Sequence, residues 1–95
     1  MAAVSEDGKF GYIDPNGQVV IDPQYTAARI FSEGQAWVKT SAGLWQCIDK
    51  NNVVVIEAKY SRVTEFKKGL ADVELPDIGW QIIDAQGNLV YFKTN

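Results

Sequence analysis

Histidine is absent from the 95 residues, and cysteine occurs once, at Cys47. The first absence removes the side chain most used near neutral pH as general base, proton shuttle and metal ligand. The second excludes an internal disulfide and any zinc site built on several thiolates of one chain. Nine Lys and Arg stand against twelve Asp and Glu, a net charge of −3. That balance argues against gripping the phosphates of a nucleic acid. No apolar run exceeds four residues, as at residues 53–56, where a spanning helix needs roughly 20. The opening Met1-Ala2-Ala3-Val4-Ser5-Glu6-Asp7 has neither the basic segment nor the apolar stretch of a secretory signal. The expectation is a soluble chain with no membrane span and no signal peptide of its own. A lone thiol slightly favours a reducing, cytoplasmic setting.

Against these absences, 46% of the residues are hydrophobic and 22% charged, a composition that folds rather than staying disordered. The length fits a single domain over residues 1–95. The chain also repeats itself. Displaced by 35, residues 8–42 fall on 43–77 with twelve identities and no gap. The identities include Ile13/Ile48, Asp14/Asp49, Tyr25/Tyr60, Phe31/Phe66, Gly34/Gly69, Ala36/Ala71 and Val38/Val73. A third, partial copy over residues 78–95 supplies Trp80 below Phe10 and Trp45, Ile83 below Ile13 and Ile48, and Asp84 below Asp14 and Asp49. At the other end Ala2-Ala3-Val4 resembles Ala36-Trp37-Val38 if one linker residue is dropped. Residues 1–7 therefore read as the last strand of a preceding unit.

Each unit opens with an aromatic, reaches Ile-Asp, turns, and continues into a β-branched run. The turns are Asp14-Pro15-Asn16-Gly17, Asp49-Lys50-Asn51-Asn52 and Asp84-Ala85-Gln86-Gly87. Asp first and Gly or Asn last suit a type I turn closed by a left-handed residue, the chemistry of a bulged hairpin. A second turn ends at Gly34 and Gly69, and the left-handed argument ranks Gly34→Val and Gly69→Val above Gly11→Ala in cost. No stretch holds apolar residues at helical spacing over three turns. The fold class expected is all-β. Tandem antiparallel hairpin repeats would stack as a small open solenoid or a propeller-like curved sheet, because one unit cannot bury its own face. Closure is also conceivable, with residues 2–4 completing the third unit as a blade is completed in a propeller.

Gly8-Lys9-Phe10-Gly11-Tyr12-Ile13-Asp14 and Phe31-Ser32-Glu33-Gly34-Gln35-Ala36-Trp37-Val38 resemble the two linked motifs of the WG repeat family, also called the KWG repeat. The second unit departs at Leu44 and Gln46, and the third keeps Gly79-Trp80 and Ile83-Asp84. The resemblance implies β-rich tandem modules, mostly bacterial, without a general activity or catalytic residues to carry over.

Residues that recur at their column are expected to pack: Phe10, Trp45, Trp80, Tyr25, Tyr60, Phe31 and Phe66. Those that break it are the candidates for a private role. Trp37 answers to Asp72 and should face away from Ala36 and Val38, and Phe92 answers to Asp22 and Glu57. Either could anchor a partner if exposed, cap an open end of the stack, or pack on the next unit. The recurrent Asp14, Asp49 and Asp84 suit turn fixation better than catalysis. Asp72, Glu74 and Asp77 lack a calcium-loop signature, and Cys47, in an apolar column, is expected to be buried and inert. No catalytic residue, metal site or cofactor is assigned. The function expected is a non-enzymatic module that binds a protein partner or self-associates through open strand edges. The alternative is a carbohydrate- or envelope-binding module, which would need Trp37 and a second ring exposed and coplanar.

Overall fold

A computed structural model describes residues 1–92. The elements are β1 (Ala2–Glu6), β2 (Lys9–Ile13), β3 (Val19–Tyr25), β4 (Ala27–Ala28), β5 (Gln35–Lys39), β6 (Trp45–Asp49), β7 (Val54–Tyr60), β8 (Arg62–Val63), β9 (Leu70–Leu75), β10 (Gly79–Asp84) and β11 (Leu89–Phe92). They form three antiparallel sheets, ordered β1-β2-β3, β4-β5-β6-β7 and β8-β9-β10-β11. The all-β expectation holds, and the described residues contain no helix. The last three positions of the partial third repeat lie outside the described residues.

The sheets and the sequence repeats are out of phase. Each sheet takes its inner strand from the end of one repeat and its outer hairpin from the start of the next. The cross-strand pairs Ala2↔Ile13, Ala36↔Ile48 and Ala71↔Ile83 show the same register three times. They confirm that one residue is missing from the first linker. This arrangement also overturns closure by the N-terminal strand. β1 pairs with β2 through the two-residue turn Asp7-Gly8, whose φ angles of 53° and 80° fit a type I′ hairpin. The third sheet already has its inner strand, β9, and the stack stays open.

The Ile-Asp turns form as their residues dictate. Asp14 Oδ1 accepts the N–H groups of Asn16 (2.9 Å) and Gln18 (3.0 Å), and Asp49 and Asp84 do the same for their own turns. Gly17, Asn52 and Gly87 close them at φ 82°, 63° and 88°. Hydrogen bonds to the Asn88 N–H and other turn donors hold the Asp84 carboxyl below its usual range.

The ranking of glycine substitutions leaves out a constraint at Gly11. Gly34 and Gly69 have left-handed φ angles, but a Cβ there would point into open space. Gly11 has no such angle, yet a Cβ would lie 2.2 Å from the Ile21 carbonyl oxygen and 2.7 Å from the Pro23 nitrogen. The β2–β3 register shifts at this point, and the irregularity brings β3 backbone over Gly11. Single-residue turn logic does not see a neighbouring strand.

The core forms two layers rather than one. Tyr12, Ile21 and Tyr25 of the first sheet meet Ala36, Val38 and Ile48 of the second. Trp37, Cys47, Ile56 and Tyr60 of the second meet Ala71, Val73 and Ile83 of the third, with Val63 and Phe66. The middle sheet is thus buried on both faces, which is why Ala36, Trp37 and Val38 are all at or below 1% exposure.

Candidate interaction surface

Alternation along β5 sends Trp37 away from Ala36 and Val38, as the sequence implied. It arrives in the second core layer, not in solvent. Its ring stacks on Phe66 at 5.6 Å and 12° and meets the edge of Tyr60 at 5.7 Å and 88°. Its Nε1–H donates to the Thr64 carbonyl at 2.9 Å. A buried indole with its polar atom satisfied is a core element, so of the readings for Trp37 the surface anchor is corrected and packing on the next unit holds. The first sheet has Ala3 at this position although the next sheet offers it Phe31, which meets the edge of Tyr12 instead. Trp37 is stacked face to face on Phe66 in the core and supplies no exposed, coplanar ring for a sugar platform.

Phe92 is 41% exposed on β11, opposite Gln81. It ends the row Val73–Gln81–Phe92 on the face turned toward the second sheet, opposite to the face of Tyr91. β11 is the edge of the third sheet, and Leu89, Val90 and Tyr91 are 57%, 54% and 59% exposed.

The rows of side chains across the sheets explain this exposure. On the face each sheet turns toward the next, the rows are Ala3–Tyr12–Ile21, Trp37–Cys47–Ile56 and Asp72–Ile82–Tyr91. Tyr12, Ile21, Trp37, Cys47 and Ile56 are buried, whereas Ile82 is half-buried and Tyr91 exposed. On the opposite face the rows are Ala2–Ile13–Val19, Ala36–Ile48–Val54 and Ala71–Ile83–Leu89. Ala36, Ile48, Ala71 and Ile83 are buried, whereas Ala2 is exposed and Ile13 half-buried. The chain therefore carries an uncovered forward face on its third sheet and an uncovered rear face on its first. Comparing columns by burial, rather than by identity, is the signal that finds Ile82 and Tyr91.

Contacts between consecutive units set the geometry of such a junction. Tyr12 Oη donates to the Arg29 carbonyl (2.5 Å), Tyr25 Oη to Asn52 Oδ1 (2.5 Å), Ser32 Oγ to the Phe66 carbonyl (2.6 Å) and Gln35 Nε2 to the Ala85 carbonyl (2.8 Å). Arg29 and Glu65 form an ion pair across the same boundary. A shallow hollow over the third sheet is lined by Thr64, Glu65, Lys67, Leu70, Asp72 and Ile82.

The remaining polar candidates are accounted for structurally. Glu74 accepts from Ser61 Oγ (3.0 Å) and pairs with Arg62 at 3.4 Å. Among the described residues no group of three or more carboxylates, Cys or His is placed to hold a metal ion. Burial pushes the Cys47 thiol up to about 12, so the nucleophilic thiolate is suppressed at neutral pH.

A family model described as "WG containing repeat" matches residues 10–45 and again 47–75. No curated protein and no solved structure matches the chain.

Proposed function

The chain belongs to the WG containing repeat family, and from that premise we propose that it is a non-enzymatic interaction module. Its working surface is the forward face and β11 edge of the third sheet. The observation that carries the reading is the row Asp72–Ile82–Tyr91. In the two equivalent rows Tyr12 and Ile21, and Trp37, Cys47 and Ile56, are buried under a neighbouring sheet, whereas here Ile82 is half-buried and Tyr91 exposed. Contiguous exposed apolar area on a small domain marks a surface that another macromolecule covers. The strand edge beside it offers unpaired backbone groups for the same purpose.

The test compares the wild-type chain with Tyr91→Lys and, as a control on a remote turn, Lys50→Ala. Each is immobilised and exposed to host lysate and to the soluble chain itself. Specific macromolecular binding should be lost with Tyr91→Lys and kept with Lys50→Ala, with circular dichroism unchanged. Binding that is indifferent to Tyr91→Lys, or absent in wild type, overturns the proposal.

A further inference from the structure

We infer that the open forward face of the third sheet seats the open rear face of the first sheet of a second copy, head to tail. This rests on the interaction-module reading and names its partner.

The interface it requires already exists twice within the chain. In both internal junctions the Ala and Ile of a rear row are buried against a forward row, while the branched aliphatic that ends the row, Val54 or Leu89, stays exposed. Ala2–Ile13–Val19 is the third member of that rear series, and it is uncovered. Carrying the junction between the second and third sheets forward by one unit predicts specific contacts. Within the chain, Ile56 packs over Gly87, where a Cβ would lie 3.2 Å from its Cγ atoms. The counterpart of Ile56 is Tyr91, and that of Gly87 in a following first sheet is Gly17. Nothing lies within 4 Å of a Cβ built on Gly17. The larger ring thus meets a position with no side chain and open space above it. Gln35 reaches Ala85 within the chain, and the same shift sets Leu70, 41% exposed, against Pro15.

A junction of unlike faces is heterologous, so each docked copy leaves one forward and one rear face free. Association should therefore run past the dimer unless the rotation closes a ring.

The test is sedimentation velocity on the full chain across a range of concentrations, using Tyr91→Lys to disable the forward face and Val4→Lys to disable the rear. Wild type should gain mass with concentration. Each variant alone should remain monomeric, its association weakened at least about tenfold. An equimolar mixture should form a dimer that grows no further, since one intact face survives on each partner. Three results overturn the inference. They are a wild type that stays monomeric at every concentration, a Val4→Lys chain that associates like wild type, and a mixture that forms no dimer. The second would indicate edge pairing through β11 or a symmetric forward-to-forward contact. A monomeric wild type that still captures another protein through Tyr91 would refute self-stacking and leave the interaction-module reading intact. Circular dichroism of both variants guards against unfolding. If Val4→Lys unfolds the chain, Ala2→Lys on the same rear face replaces it, since Ala2 is exposed while its counterparts Ala36 and Ala71 are buried in the two internal junctions.

Discussion

The carboxylate of Glu33 accepts the backbone N–H groups of Lys68 at 2.6 Å and Gly69 at 2.7 Å. One turn thus clasps its own copy a repeat downstream, and the column places Lys68 where Glu33 stood. The clasp is directional, since a lysine cannot accept backbone hydrogen bonds. It ties the second sheet to the third at the rim, outside the apolar layer.

Glu33→Ala should therefore lower the unfolding free energy by about 1–2 kcal/mol, the range for charge-assisted bonds discounted for their exposure. Lys68→Ala should cost much less, because Lys68 contributes its backbone and not its side chain. Urea titration of both variants checks this. Equal losses would show that the clasp adds nothing beyond the turn itself.

Gly11→Ala should be the most damaging of the glycine changes. A methyl group 2.2 Å from a carbonyl oxygen forces the strands apart, at about 1–3 kcal/mol or more. Gly34→Ala meets no atom and costs only its left-handed strain, about 1–2 kcal/mol. Urea midpoints for the two variants decide it. A lower midpoint for Gly34→Ala than for Gly11→Ala would contradict the backbone approach.

These two glycines also show what the sequence could convey. Positions governed by their own turn were legible: Asp14, Asp49 and Asp84 as turn acceptors, Asn52 as the stand-in for Gly17 and Gly87, and the missing linker residue before β2. Their requirements are local, so three copies of one motif report them three times. Positions governed by an adjacent strand or sheet were less legible. Gly11 answers to the backbone of β3, and Trp37 answers to Phe66 and Thr64 in the next unit. Phe92 was read as exceptional by its identity. Tyr91 was missed because an aromatic in an apolar column looks conservative, although its counterparts Ile21 and Ile56 are buried and it is not.

Trp37 supports the core and should behave accordingly. Trp37→Ala removes a stacked ring at 1% exposure and should cost about 3–5 kcal/mol. That is a large share of the roughly 5–15 kcal/mol typical of a domain. Trp37→Phe retains a ring but leaves the Thr64 carbonyl without its donor, at about 1–3 kcal/mol. Thermal or urea unfolding orders wild type, Phe and Ala in that sequence. An Ala variant as stable as wild type would return Trp37 to the surface.

The buried thiol makes an alkaline prediction. Cys47 has an ordinary value of 9.0 and is pushed up to about 12 by burial in the fold. Above pH 9 the unfolded chain loses a proton that the folded chain keeps, so stability must fall as pH rises. This contribution is fully present below pH 9 and is lost between about 9 and 12. Burial also raises Tyr12, Tyr25 and Tyr60 from 10.0, which adds a decline of the same sign beginning about one pH unit later. Cys47→Ala should therefore be less stable at neutral pH, having lost core volume, yet its stability should fall less steeply between pH 9 and 10. The tyrosine-driven decline should remain above that interval. Urea unfolding at pH 7, 9 and 10 measures both slopes, and a thiol reagent at pH 8 should modify the native chain far more slowly than the chain in urea. Identical slopes for the two proteins, together with fast native modification, would place the Cys47 sulfur in contact with water rather than between the second and third sheets.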